Sequence, residues 1–371
     1  MPVTLISGAE ASTSNVDNKV RDMLPVAELE PDAAPLTALM NKIGSKPARN
    51  PKVEWLEDEL KSRVTSLSAS ATSVATAFGV SADIFTVGDV VNFTPNGFSI
   101  LVTATAAGAV TGTAIGTQVS AATAASELFI VANANAEGSS LTEIKITQLV
   151  PQYNYCQIVQ EPFGVTATED WTEHYSGDER DRLAKHHGII HARQIENINF
   201  FGVRSIQGTN QRTAGGIDYY VSTNVTALTT MSLAQWEAFL RIAFRYGSRE
   251  KWAFCSSRAV QAIEGFAASN IRVVNDGAST YGVHVKQYVS GQGTVNIVHH
   301  VDWQDSSIYG GYLFMVDMDA VKARPGRATR LQRDVHAPDY DGFKDRWISE
   351  YSIAVVHERK HGMLTGLTGA N

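Results

Sequence analysis

A chain of 371 residues with 31 Lys and Arg against 38 Asp and Glu carries a formal charge of −7, which argues against a protein built to hold nucleic acid. Hydrophobic residues at 44% suffice for a sizeable core, while two cysteines, Cys156 and Cys255, make neither a disulfide framework nor a zinc site, with one bridge between them left open. The N-terminus lacks the basic start and apolar core of a secretion signal and no run of about 18 apolar residues is present, so a soluble protein of a reducing cytosol is expected.

Residues 1–50 contain five of the eleven prolines and little apolar periodicity, which predicts an arm ordered only where it lies on something else. Within it Pro35–Lys42 reads as a short helix, with Leu36, Leu39, Met40 and Ile43 on one side and Gly44 as its stop. An aromatic and acidic segment follows at Val53–Leu60. From Val64 to Ile144 there is no Lys or Arg, and Ala, Thr, Ser, Val and Gly dominate. Apolar spacing predicts strands at Ile84–Val87, Val90–Phe93, Phe98–Thr103 and Leu128–Ala132, with a turn at Pro95-Asn96-Gly97. This is the pattern of a small β domain inserted in the chain.

Ordinary composition resumes at Lys145, and an extended segment is expected to end at Glu161-Pro162. Asp178–Phe201 then reads as one helix of about 36 Å, roughly twice an average one. Leu183, Ile190 and Phe201 lie close to one face, Ile195 and Ile198 extend a second stripe, and Gly188 costs it ~1 kcal/mol. Such a helix is too long for one compact core to cover.

Gly215–Tyr220 reads as a turn leading into a strand. Ser232 opens a helix through a capping box with Gln235, and Met231 can staple onto Trp236. Its core face is Leu233, Trp236, Leu240, Ala243 and Phe244, and Gly247 closes it. Trp252–Cys255 is a buried strand, and Ser256 or Ser257 caps a helix carrying Val260, Ile263 and Phe266. Val283–Val289 and Val295–Val301 form a hairpin across Ser290–Gly293. Tyr312–Val316 is a short strand, Lys322–Arg333 a basic loop, and Ile348–Val356 a last strand presenting Tyr351, Ile353 and Val355 on one face. No internal repeat is present.

Few residues carry a chemical pattern. His187 and His191 share a helix face as in H-E-x-x-H zinc enzymes, but Gly188 stands next to the first histidine and no third ligand is evident. His299 and His300 point to opposite faces of a strand; His300 and Asp302 share a face, but two ligands make no site. Asp317 and Asp319 are expected to be solvated at a strand end, and Cys255 to be a core residue. G-x-S-x-G, G-x-x-x-x-G-K-[ST] and G-x-G-x-x-G are absent. No catalytic residue, metal or cofactor is expected. A hydrolase with a β-rich accessory domain, using His187 and His191, is the alternative.

Five stretches in order carry a resemblance: Pro35-Leu-Thr-Ala-Leu-Met40, Glu54-Trp-Leu-Glu-Asp-Glu59, Gln157-Ile-Val-Gln-Glu-Pro162, Glu196 before Phe200-Phe-Gly202, and Arg245-Tyr-Gly-Ser-Arg-Glu-Lys-Trp252. Together the sequence resembles tailed-phage major capsid proteins with a Hong Kong 97-like capsid fold. The resemblance implies an α+β chain with an N-terminal arm (1–52) and an extended loop (53–150) holding the β insertion at about 64–144. A peripheral domain (151–204) with a spine helix at 178–201, an axial domain (205–335) and a return to the peripheral domain (336–371) follow. It implies self-assembly into hexameric and pentameric capsomers of an icosahedral head around double-stranded DNA, made in the host cytoplasm and located in the virion. Portal, scaffold and decoration proteins are further partners, with no membrane. Contacts between copies are expected at Trp55, Glu57, Asp58, Arg245, Arg249, Arg324, Arg327 and Arg330. The cluster Lys322, Arg324, Arg327, Arg330 and Arg333 is expected to meet acidic surfaces of neighbours, with DNA touched only by weak, non-specific contact. In the prototype of the fold a lysine of the extended loop bonds covalently to an asparagine of a neighbour. Here Val64–Ile144 holds Asn92, Asn96, Asn133 and Asn135 but no lysine, and Lys61 and Lys145 only flank it, so a shell without covalent links is expected.

Overall fold

The computed structural model describes residues 34–70, 76–94, 98–116, 126–138, 147–172, 178–208, 210–270, 273–274, 285–303 and 306–368. Most of the expected arm, residues 1–33, and the Pro95–Gly97 turn lie outside the described residues. The chain forms two compact units, one of 1–55 and 152–371 and one of 56–151.

The first described element is α1 (Pro35–Ile43), opened by proline at its first position and followed by Gly44. Leu36, Leu39 and Met40 are buried, whereas Ile43 is not. β1 (Lys52–Glu57) then leads out of the larger unit. The smaller unit contains β2 (Val64–Ser66), β3 (Ala77–Gly79), β4 (Asp89–Thr94), β5 (Phe98–Ala106), β6 (Ala109–Ile115) and β7 (Glu127–Asn133). Their order is β2-β7-β4-β5-β6-β3. A bridge between Leu67 and Val80, with Ser68 N donating to Gly79 O at 3.0 Å and Ser81 N to Ser66 O at 2.9 Å, joins the two outer strands, so the sheet closes into a barrel. Leu67, Phe78, Val80, Val91, Phe93, Ile100, Val102, Val110 and Leu128 fill it. The close approach of β6 to β5 requires Gly112, whose Cβ would lie 2.8 Å from the Leu101 carbonyl oxygen. The strand expected at Ile84–Val87 is instead a loop and turn, because Asp89 draws the Thr86 amide and hydroxyl to its carboxylate at 2.8 Å each.

β8 (Val150–Tyr155) pairs with β1 and brings the chain back. β9 (Gln157–Thr166) continues beyond the expected stop at Pro162, which is tolerated because β9 is an edge strand. A single helical turn, α2 (Ala167–Asp170), precedes the long helix α3 (Glu179–Phe201), capped by the Asp178 carboxylate on Arg180 N at 2.8 Å. Its buried face differs from the one read from hydrophobicity: Ala184, His191, Ile195, Glu196, Asn199 and Phe200 are buried, while Ile190 is 39% exposed.

Next come β10 (Ser205–Gln207), β11 (Gln211–Thr213) and α4 (Ile217–Tyr220), a single helical turn within the expected turn at Gly215–Tyr220. β12 (Val225–Ala227) is followed by α5 (Leu233–Ala243), whose capping box forms as expected and whose buried residues are Trp236, Phe239, Leu240 and Ala243. β13 (Glu250–Cys255) and α6 (Ser257–Asn270) also match expectation; the Phe266 side chain lies outside the described residues. β14 (Val273–Val274), β15 (Val285–Val289) and β16 (Thr294–His299) follow, the last two forming the expected hairpin, with Val283 and His284 outside the described residues.

β17 (Leu313–Val316), β18 (Val321–Ala323), β19 (Arg327–Gln332), β20 (Gly342–Tyr351), β21 (Ile353–Val355) and β22 (Gly362–Thr365) complete the chain. The basic segment is thus two strands instead of a loop, and the expected last strand splits at Ser352. Ser352 trades backbone hydrogen bonds with Arg324, and β21 leaves β20 to pair with β18.

Two sheets organise the larger unit. The seven-stranded sheet β12-β22-β17-β13-β16-β15-β14 alternates its side chains between two cores. Phe254, Val298, Phe314, Val316 and Met363 face α1 and the end of α3, whereas Ala253, Cys255, Val295, Leu313, Met315 and Leu364 face α5 and α6. In the three-stranded sheet β19-β20-β9, β20 pairs with β9 from Gly342↔Thr166 to Tyr351↔Gln157. The division expected at residue 335 follows neither sheet: β19 already belongs to the smaller one, and β22 returns to the larger, where β17 needs a partner.

Candidate assembly surfaces

The spine is held by polar contacts. Alternate residues of β20 face it. Asp345 accepts two hydrogen bonds from Arg180, both at 2.7 Å; the Trp347 indole donates to Ala184 O at 2.8 Å; and the Ser349 hydroxyl lies 2.8 Å from His191 Nε2. Gly188 sits over the Trp347 ring, and its missing Cβ would lie 3.3 Å from it, so the glycine makes room for the indole. On β9, Glu161 takes His187 Nδ1 at 2.9 Å and Gln194 Nε2 at 2.7 Å. His187 and His191 thus engage different strands, which is not the arrangement of a shared metal.

At the far end of the spine Glu196 is fully buried. Its carboxylate accepts from the Leu36 and Thr37 amides at 2.8 Å each and from the Thr37 hydroxyl, while His300 Nε2 lies 3.4 Å away. It therefore caps α1 from another element, satisfying amides that no residue within α1 reaches. His300, at the end of β16, is buried and stacks on Trp303 at 4.2 Å; His299 is exposed beside Ser257, and Asp302 pairs with Arg193 at 3.2 Å.

Asp317 is buried, not solvated as expected, while Asp319 is exposed. Asp317 Oδ2 accepts from Ser248 N at 2.8 Å, inside the Arg245–Trp252 turn, where Gly247 has φ +85°. Lys251, fully buried, donates to the Ala243 and Tyr246 carbonyls at 2.6 and 2.9 Å and to that of Lys360, tying off the C-terminus of α5. Burial lowers its ammonium to about 8 against the opposing pull of Asp317. Burial likewise lowers His361, which accepts from Asp317 N through Nδ1, to about 3, and pushes the free Cys156 thiol up to about 11. Cys255 is also free and buried, so no bridge forms.

Asp345 supports a pH prediction. Burial alone would raise its carboxyl, but the Arg180 hydrogen bonds and the Asp334 amide outweigh that and hold it below its ordinary value of 3.8. Stability from a depressed carboxylate is present above its unfolded value and lost as pH falls through the folded one. Asp345→Asn is expected to unfold ~3 kcal/mol more easily than the parent near neutral pH. That gap should close as pH drops below 3.8. Denaturant titrations at both pH values check this; a gap of unchanged size in acid would show that the pair is not its source.

The eight expected contact positions sit on three separate elements. On the first, Trp55 is half-buried with its ring 5.8 Å from that of Tyr220, Glu57 is partly exposed and Asp58 exposed, beside Leu56 and Leu60 at 63% and 83% exposure. Arg245 and Arg249 project from the turn after α5, with Arg245 over the Tyr246 ring at 5.4 Å. On the third element Arg327 pairs with Glu350 at 3.0 Å, Arg330 is exposed and Arg324 half-buried. Lys46 and Arg49 join this strip because Lys46 N donates to Ala323 O at 3.3 Å and Ala48 N to Pro325 O at 2.8 Å. Arg333 pairs with Asp181 of the same chain at 2.8 Å, so part of the basic cluster is satisfied internally. Among the described residues no three His, Cys, Asp or Glu are grouped to hold a metal, and no helix is long and apolar enough to cross a membrane.

The structure is similar to the capsid of a native GTA particle, with TM-score 0.53 and 9% identity over 97% of this chain and 98% of that one. It is also similar to a structure from Mycobacterium phage Ogopogo, with TM-score 0.50 and 11% identity over 93% and 96% of the two chains. These likenesses carry the fold, which is α+β and Hong Kong 97-like. No curated protein matches the sequence. The family model of the SU10 major capsid protein matches residues 10–368, nearly the whole chain, and the protein belongs to that family.

Proposed function

We propose that the protein builds an icosahedral phage head from hexameric and pentameric capsomers, enclosing double-stranded DNA. The family is one of structural capsid proteins, so the chain is a shell-forming protein of the virion and not an enzyme, and the hydrolase reading has no support. The observation that carries the proposal is the family match along residues 10–368. In this reading the unit of 56–151 is the extended loop, the α3 and β19-β20-β9 assembly the peripheral domain, and the seven-stranded sheet with α5 and α6 the axial domain. Trp55, Glu57, Asp58, Arg245, Arg249, Arg324, Arg327 and Arg330 meet other copies. Arg330 and its neighbours face acidic protein in preference to DNA, whose contact is weak and non-specific. Synthesis in the host cytoplasm and partnership with portal, scaffold and decoration proteins complete the proposal.

Purified full-length protein is expected to form capsomers or large particles by size-exclusion chromatography and negative-stain microscopy. A small closed oligomer alone would overturn the reading. On a denaturing gel the particles are expected to give one band near 40.2 kDa, because the described β-barrel offers no lysine for a covalent link. A ladder that survives boiling with reductant would refute the non-covalent shell.

A further inference from the structure

We propose that the β-barrel of the 56–151 unit binds a neutral saccharide in a cavity at one of its ends. The cavity measures about 320 Å³, near the lower bound of the ~300–1,000 Å³ usual for small-molecule sites, and the mouths of barrels are a preferred place for such sites. It opens where the loop after β3 meets the turn between β5 and β6. Buried Val80 and Phe85 line it together with Thr105, Ala107 and Ala109, and the exposed Asp83 supplies its one charge.

The backbone fixes the shape of this cavity. Val80 N donates to Gly108 O at 2.9 Å, and Gly108 N donates to Asp83 Oδ1 at 2.8 Å, so loop and turn clamp each other. On the far side of Phe85 the Asp89 carboxylate accepts from the Thr86 amide and hydroxyl at 2.8 Å each, which fixes the rest of the loop. A site shaped before its ligand arrives leaves little ordering to be done on binding.

The occupant follows from charge and from the groups left free. Asp83 Oδ2 and the Thr105 hydroxyl have no hydrogen-bond partner among the described residues, so both are available to a ligand. Val64–Ile144 holds Asp83, Asp89, Glu127, Glu137 and Glu143 but no Lys or Arg, a field that repels phosphates, sulfates and uronic acids. An amine would meet a single carboxylate already shared with an amide, and no open aromatic face, since Phe85 is only 9% exposed; its desolvation is poorly compensated. A neutral pyranose alternates C–H and O–H groups. Val80, Phe85 and the alanine methyls suit the first, and Asp83 and Thr105 the second. Sugar hydroxyls donating to the free Asp83 oxygen make the stronger, charge-assisted class of hydrogen bond. Repeated over a shell, weak sites of this kind add up to avidity for a glycan-coated surface; that consequence, unlike the site itself, rests on the shell reading above.

The test is saturation-transfer NMR of the full-length protein with maltotriose, cellotriose and triacetylchitotriose, followed by titration of each one that binds. At least one is expected to bind in the millimolar range. Asp83→Ala and Ala107→Leu are each expected to weaken it by about tenfold or more, the former through loss of a hydrogen bond to a charged group and the latter by filling the cavity. Asp83→Asn keeps an acceptor for Gly108 N and is expected to fall between parent and alanine variant. Ala107 is exposed, so Ala107→Leu carries the test if Asp83→Ala does not fold. Binding of none of the three saccharides, or binding that Ala107→Leu and the folded Asp83 variants leave unchanged, would overturn the assignment. Displacement of the bound saccharide by an equal concentration of spermidine would give the site to cations and overturn it as well. None of these results bears on whether the protein forms particles, which sizing decides separately.

Discussion

Replacing Glu196 by alanine is expected to destabilise the larger unit by ~3–5 kcal/mol and to release α1 from the spine. The buried carboxylate serves two backbone amides and one hydroxyl of Leu36 and Thr37. Each hydrogen bond to a charged group contributes ~1.5–3 kcal/mol, and removing the acceptor strands all three donors. Nothing local replaces it: a helix of nine residues is too short to persist by itself in water. A loss of this size should lower the melting temperature by about 10 °C, taking ~2–4 °C per kcal/mol for a unit of this size. Trypsin should then reach Lys42 and Lys46, which flank the end of α1. Glu196→Gln keeps one acceptor oxygen and should fall between parent and alanine variant. Melting and proteolysis profiles equal to those of the parent would show that α1 is held by its apolar side chains alone.

The second large effect is expected at Trp236. It is fully buried, packs its ring 5.8 Å from Phe239 and 5.9 Å from Tyr288, and fills the core between α5 and the seven-stranded sheet. Trp236→Ala should cost ~3–5 kcal/mol through lost burial and the cavity left behind. Ser232→Ala, which removes only the cap of the same helix, should cost ~1 kcal/mol. Chemical denaturation of both variants gives the comparison. Equal, small losses would place the tryptophan at a site that collapses around the deletion or that bears little of the load.

Much of this architecture was legible in the residue pattern because local rules acted without competition. The capping box at Ser232, the proline and glycine around α1, the hairpin at Ser290–Gly293 and the length of the spine each depend on residues close in sequence. The buried face of the spine was not legible. Its neighbours on β20 and β9 lie well over a hundred and about thirty residues away, and they present Asp345, Ser349 and Glu161, so burial there follows polar partners and not apolar periodicity. Glu196 stood out only within the ordered stretches that carry the family resemblance; its task depends on α1, 160 positions earlier. Asp317 failed as a solvated strand end for the same reason: the turn after α5 reaches across to use it. For the contact surfaces, sequence marked the charged positions but could not separate Arg333, already paired with Asp181, from Arg330, which is exposed.

The pairing of β1 with β8 has a consequence for how such chains diversify. Neighbouring strands lie ~4.8 Å apart, so the chain leaves and re-enters at almost one point. The 56–151 unit closes its own barrel and fills its own core. A segment with adjacent ends and no borrowed core can be exchanged by recombination for a tight turn or for an unrelated domain, because the host needs only two nearby attachment points. Loop-closure entropy grows only as the logarithm of length, so the host hardly registers how large the exchanged cassette is. Gene exchange between phages can thus rewrite this part of the protein while the rest of the chain stays under the constraints of its own packing.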